Sequence, residues 1–141
     1  MNISARTHYA TVALAELAIR REHGEPVSLS DIASKHSIPG PFLTQIFRTL
    51  RSAGWVRSVR GAGGGYRLSV APETVTVLDI AEQMGCGEMP PAADADASAC
   101  SRHIAQLWNR ADRAARETLR AQTLADVLET IRDGDAAMYF I

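Results

Sequence analysis

Apolar residues Tyr9, Val12, Ala13, Leu17 and Ile19 recur at helical spacing between Ser4 and Arg21, with polar residues between them, which predicts an amphipathic first helix. His23-Gly24 and Pro26 end it. Ser30 precedes Asp31–His36, so a short second helix is expected with Ser30 as its cap and Asp31 in the first turn, where the helix dipole favours a carboxylate. Ile38-Pro39-Gly40-Pro41 reads as a turn, and Pro41 opens a third helix that runs to Ala53 and stops at Gly54. Val56–Val59 and Tyr66–Val70 read as short strands, joined by the glycine-rich turn Gly61–Gly65.

Thr76 to Asp79 has capping-box form and starts a helix toward Met84. Gly85 to Ala99 has no periodic apolar face and reads as a loop. Helix returns from Ser101 to Ala121 with the stripe Ile104, Leu107, Trp108, Ala111, Ala115 and Leu119, and Thr123 caps a last short helix through Arg132. The expected fold is mainly α with a small β-hairpin wing, a winged helix-turn-helix followed by a long C-terminal dimerisation helix. Its units are residues 1–84 for the winged helix, 85–100 for the cysteine loop, 101–121 for the dimerisation helix and 122–141 for the short helix and tail. The stripe suits either two long helices packing together or packing within one chain.

Net charge changes this picture. The chain carries only −1 overall, yet no Asp or Glu occurs from Ile32 to Pro72, where Lys35, Arg48, Arg51, Arg57, Arg60 and Arg67 stand. Nine basic and sixteen acidic residues remain elsewhere, a net of −7. An acid-free stretch coinciding with a helix-turn-helix and a glycine wing flanked by arginines points to DNA rather than to a merely solvated basic face. Leu43, Ile46, Phe47 and Leu50 share one face of the third helix, so Thr44, Gln45, Arg48, Arg51 and Ser52 point away from the core. Gln45 and Thr44 suit base edges in the major groove, Arg48 and Arg51 suit phosphates, and Arg60 at the wing tip suits a narrow minor groove, with Arg57 and Arg67 beside it.

No basic-then-apolar leader and no run of about 18 apolar residues is present, so a cytoplasmic protein without a membrane span is expected. No Ser, His and Asp spacing suggests an enzyme. Cys86 and Cys100 bracket thirteen residues, and His103 follows three residues later. Thiolate and imidazole at this spacing suit an iron-sulfur cluster or zinc, and the spacing does not choose between them. A buried thiol, or a reversible thiol switch between Cys86 and Cys100, is the alternative.

The run IPGPFLTQIFRTLRSAGWVRSVRGAGGGYRLS, and VRGAGGGYRL within it, resembles the helix-turn-helix and wing of the Rrf2 family of bacterial repressors, with the likeness reaching from Met1 to about Ala115. The resemblance implies a winged-helix homodimer on a palindromic operator, with Thr44 and Gln45 at bases and Arg60 in the minor groove. Many members carry a cluster in this loop on three cysteines, and Cys86, Cys100 and His103 match outer positions of that pattern. The middle cysteine is missing, since GEMPPAADADASA fills the interval. In some members the first helix supplies a ligand across the dimer, at a position that resembles His8. The implied set is a [2Fe-2S] cluster on Cys86, Cys100, His103 and His8, in which imidazole ligation raises the potential. The resemblance also leaves a regulator without a cluster, answering to thiol redox, a partner protein or a metabolite. A small electron-transfer protein is a further class, and the wing argues against it.

Overall fold

A computed structural model describes residues 1–87 and 93–138. Helix α1 (Ala5–Arg21) is capped by Ser4, whose Oγ accepts from Thr7 N at 3.1 Å. It forms the centre of the domain, in contact with α2 (Leu29–His36), α3 (Gly40–Ser52), strand β2 (Gly65–Leu68), α4 (Val77–Met84) and α6 (Leu124–Met138). The core follows from α1's unbroken buried run Ala13 to Ala18, packed with Ile32, Leu43, Ile46, Phe47, Leu50, Ile80 and Leu124. Strand β1 (Val56–Val59) pairs antiparallel with β2 in the register Val56 to Leu68 and Arg57 to Arg67. α5 (Ala99–Arg120) follows α4 and contacts it.

Several boundaries differ from the sequence reading. The cap of α2 is Ser28, not Ser30: its Oγ accepts from Asp31 N at 3.1 Å. Val27, the residue before it, pairs with Tyr66 by two backbone hydrogen bonds of 3.0 and 2.8 Å, so the chain leaves extended structure and turns helical two residues early. β2 ends at Leu68 rather than Val70; beyond it Ser69 N still donates to the Trp55 carbonyl at 2.8 Å, and the Val70 carbonyl accepts from Arg21 Nη1 at 2.6 Å. α5 begins at Ala99, capped by Ser98, which places Cys100 on the helix and not in the loop. α6 continues past Arg132 to Met138 and packs back on α1 through Leu124 and Leu128. Two capping boxes agree with expectation, Thr76 with Asp79 and Thr123 with Asp126.

The joint between α1 and α2 is electrostatic. The Glu16 side chain is 5% exposed, and Lys35 Nζ donates to its two oxygens at 2.9 and 3.1 Å, with His36 Nε2 3.2 Å from Oε2 and Arg20 Nε 3.5 Å from Oε1. Burial pushes the carboxyl up, but the hydrogen bonds from Lys35 and His36 outweigh it and hold it below the usual carboxylate range. Lys35 is thereby committed to the fold and withdrawn from the positive surface that the sequence suggested.

Candidate nucleic-acid interface and cysteine loop

The α2–α3 turn is made by Ser37, in the left-handed region at φ 54°, with Ile38 N bonded to the Ala33 carbonyl at 3.0 Å. It presents α3 with Leu43, Ile46, Phe47 and Leu50 inward and Thr44, Gln45, Arg48, Arg51 and Ser52 exposed. Thr44 Oγ1 donates back to the Gly40 carbonyl at 3.1 Å, which leaves its methyl group and an oxygen lone pair outward. Arg6 Nη2 donates to Thr49 Oγ1 at 2.7 Å and ties α1 to the middle of α3.

Among the described residues, Arg48, Arg51, Arg57, Arg60 and Arg67 make no salt bridge. Guanidinium groups without carboxylate partners among the described residues, from a stretch of chain with no Asp or Glu, give a positive field. Arg60 is exposed at the hairpin tip, where Gly64 N closes the turn onto the Gly61 carbonyl at 3.0 Å. Gln83 of α4 is a residue that sequence reasoning missed. It lines, with Arg48, Thr49, Ser52 and Ala53, a groove of about 340 Å³ beside the recognition helix, and only the packing of α4 against α3 brings it there. Arg57 and Arg67 stand apart from this group, around a second cavity between the hairpin and the end of α1.

Cys86 is half-buried just after α4, while Cys100 and His103 are exposed on the first turns of α5 and His8 is exposed on α1. Among the described residues no three His, Cys, Asp or Glu side chains gather as a metal site, so one chain alone does not assemble Cys86, Cys100, His103 and His8. The centre of the loop and the last residues of the tail lie outside the described residues. Instead, an ionic cluster joins the elements around Cys86: Arg116 Nε donates to Asp112 Oδ2 at 2.9 Å and Nη1 to Glu82 Oε1 at 2.8 Å, and the Met1 amino group lies 2.9 Å from Asp112 Oδ1. Hydrogen bonds from that amine and from Arg116 hold the Asp112 carboxyl low, and the hydrogen bond to the Asp112 carboxylate raises Arg116.

A recognition helix, a glycine wing and an acid-free face define a winged-helix DNA-binding transcriptional regulator, not an enzyme. The Rrf2 family profile, described as an iron-dependent transcriptional regulator, matches residues 3–130. The chain belongs to this family. It is 36% identical over 140 residues to the HTH-type transcriptional regulator CymR of Bacillus subtilis, covering 99% of this chain and 97% of that one. It is 43% identical over 83 residues to the HTH-type transcriptional regulator IscR of Cereibacter sphaeroides, covering 58% of this chain and 54% of that one. The solved structure of T. potens IscR superposes with a TM-score of 0.78 at 32% identity, covering 95% of this chain and 90% of that one. Among the described residues no helix is long and apolar enough to cross a membrane.

Proposed function

We propose that the protein is a homodimeric repressor that works in the cytoplasm on a palindromic operator, with Thr44 and Gln45 reading bases, Arg48 and Arg51 holding phosphates and Arg60 entering the minor groove. The observation that carries this reading is the exposed polar face of α3, framed by arginines that have no ion-pair partner among the described residues. Gln45 is the sharpest test, because a bidentate amide contact discriminates one base while a phosphate contact does not. Gln45→Ala is expected to weaken operator binding by about 1–3 kcal/mol and to relax preference at one base pair, with an unchanged salt slope. Fluorescence anisotropy with single-base operator variants measures this, and an equal loss on every sequence sinks the base-reading role.

The second protomer is proposed to dock along α5. This 22-residue helix buries none of its residues in its own chain, and Ile104, Leu107 and Trp108 are 42, 51 and 49% exposed. Ala115 and Leu119 are partly covered within the chain, while the Ile104, Leu107 and Trp108 end of the stripe stays open. The loop that starts α5 is proposed as the signal input: a change there moves α5 and so resets the distance between the two recognition helices.

Two thiolates and two imidazoles are donors of the right chemistry for a [2Fe-2S] cluster, and His8 from a second protomer is the donor that completes the set. One observation favours a second reading, in which the loop answers by thiol redox or partner binding: the donors do not gather within the chain. Both readings act through the placement of α5, and anaerobic reconstitution separates them. The cluster reading expects visible absorption with equal iron and sulfide, and different operator affinities for loaded and cluster-free protein across salt concentrations. A colourless, iron-free product assigns the input to the thiols.

A further inference from the structure

The cavity at the root of the wing measures about 310 Å³ and is lined by Leu17 and Arg21 from the end of α1, by Glu25 from the segment after it and by Arg57, Arg67 and Leu68 from the two strands, with Ser69 beside them. Arg57 and Arg67 are directly opposed in the antiparallel register, an arrangement that is destabilising for like charges unless something negative lies between them. Glu25 shares the cavity but makes no salt bridge to either arginine among the described residues. Arg21 contributes a third guanidinium, fixed in place by its 2.6 Å bond from Nη1 to the Val70 carbonyl and keeping its other N–H donors.

These arginines line this cavity and not the groove beside the recognition helix. Strand alternation puts Arg57 and Arg67 on the sheet face opposite Tyr66, and Tyr66 meets Phe47 of α3 edge-on at 4.7 Å. Their guanidinium groups are thus directed to the end of α1 and not toward α3. Glu25 on the cavity wall repels an extended run of phosphates, while Leu17 and Leu68 offer an apolar floor for a carbon skeleton.

We propose that this cavity binds a small organic acid, held through a carboxylate or phosphate group by Arg21, Arg57 and Arg67. Glu25 accepts a hydrogen bond from a donor on the same molecule. An occupant bridges α1 to both strands and so sets the wing relative to the helix-turn-helix, an effect that extends the operator-binding reading. Binding itself is measured without DNA, so its failure is distinct from a failure of that reading.

The test is a thermal titration with citrate and with inorganic phosphate, against sodium chloride at matched ionic strength, on the full chain. At about ten times its dissociation constant an anion is expected to raise the melting temperature by about 4 °C. The response is lost in Arg57→Gln/Arg67→Gln and kept in Arg60→Gln. Without added anion the double variant is at least as stable as the parent, since two opposed charges are gone, and this excludes misfolding as the cause. No response beyond chloride, or an equal response in the double variant, overturns the proposal. A double variant that keeps the parental anion response and loses about two phosphate contacts from its salt slope on DNA instead assigns the arginines to the operator backbone.

Discussion

Trp108→Asp converts the protein to monomers and lowers operator affinity about 100-fold. Trp108 is 49% exposed within its chain, in one stripe with Ile104 and Leu107, so the side chain contributes little to the fold of a single copy and its replacement leaves the winged helix intact. In a two-fold interface each residue acts twice, and a buried tryptophan truncated at such a centre costs about 2 kcal/mol or more per copy. The aspartate adds an uncompensated charge on each side of an apolar seam. A loss of about 4 kcal/mol weakens the dimer roughly 1000-fold. The operator then sees two separate heads, and the gain of about 10²–10⁴ from linking two half-site contacts disappears. Light scattering reads the oligomeric state, anisotropy the affinity, and an unchanged far-UV spectrum shows that the helices persist. A variant that stays dimeric with parental affinity removes α5 as the seam.

The parts of the molecule legible in the sequence are those fixed by neighbours along the chain. The inward face of α3, the Thr76–Asp79 box and the hairpin turn follow from local spacing, and each occurs where the pattern put it. The parts that were not legible depend on contacts between distant segments. Ser28 and Ser30 are equally good caps by type, and Val27's pairing with Tyr66 decides between them. Lys35 counts as a free positive charge until α1 brings a buried Glu16 against it. Arg57 and Arg67 read by type as two more DNA contacts, and only the register and the packing show that they oppose each other in a cavity with Arg21. The cysteine loop is harder again, because Cys86 follows α4 while Cys100 and His103 stand on α5, and among the described residues no metal-binding group assembles from them.

Gly65→Ala carries a large expected stability effect for a single added methyl group. A Cβ built at Gly65 lies 2.4 Å from the Val27 oxygen, 2.5 Å from its carbonyl carbon and 2.8 Å from Ser28 N, all of them backbone atoms. No side chain can swing aside, so relief requires separating Val27 from Tyr66 and losing their 3.0 and 2.8 Å hydrogen bonds. Overpacking of this kind costs about 1–3 kcal/mol and each lost bond about 1 kcal/mol. A total near 3 kcal/mol lowers the melting temperature by about 10 °C. Gly63→Ala is the matched control, because a Cβ there meets nothing within 4 Å; it is expected to leave stability within about 0.5 kcal/mol. The two positions are separated by one residue in the same turn, so a common loss in both variants would trace the effect to backbone freedom and not to the clash. The consequence reaches DNA as well. Ser28, whose N–H borders the added methyl, caps α2, so displacing Val27 disturbs the wing and the start of the helix-turn-helix together. Gly65→Ala therefore weakens operator binding even at temperatures where it stays folded, while Gly63→Ala does not.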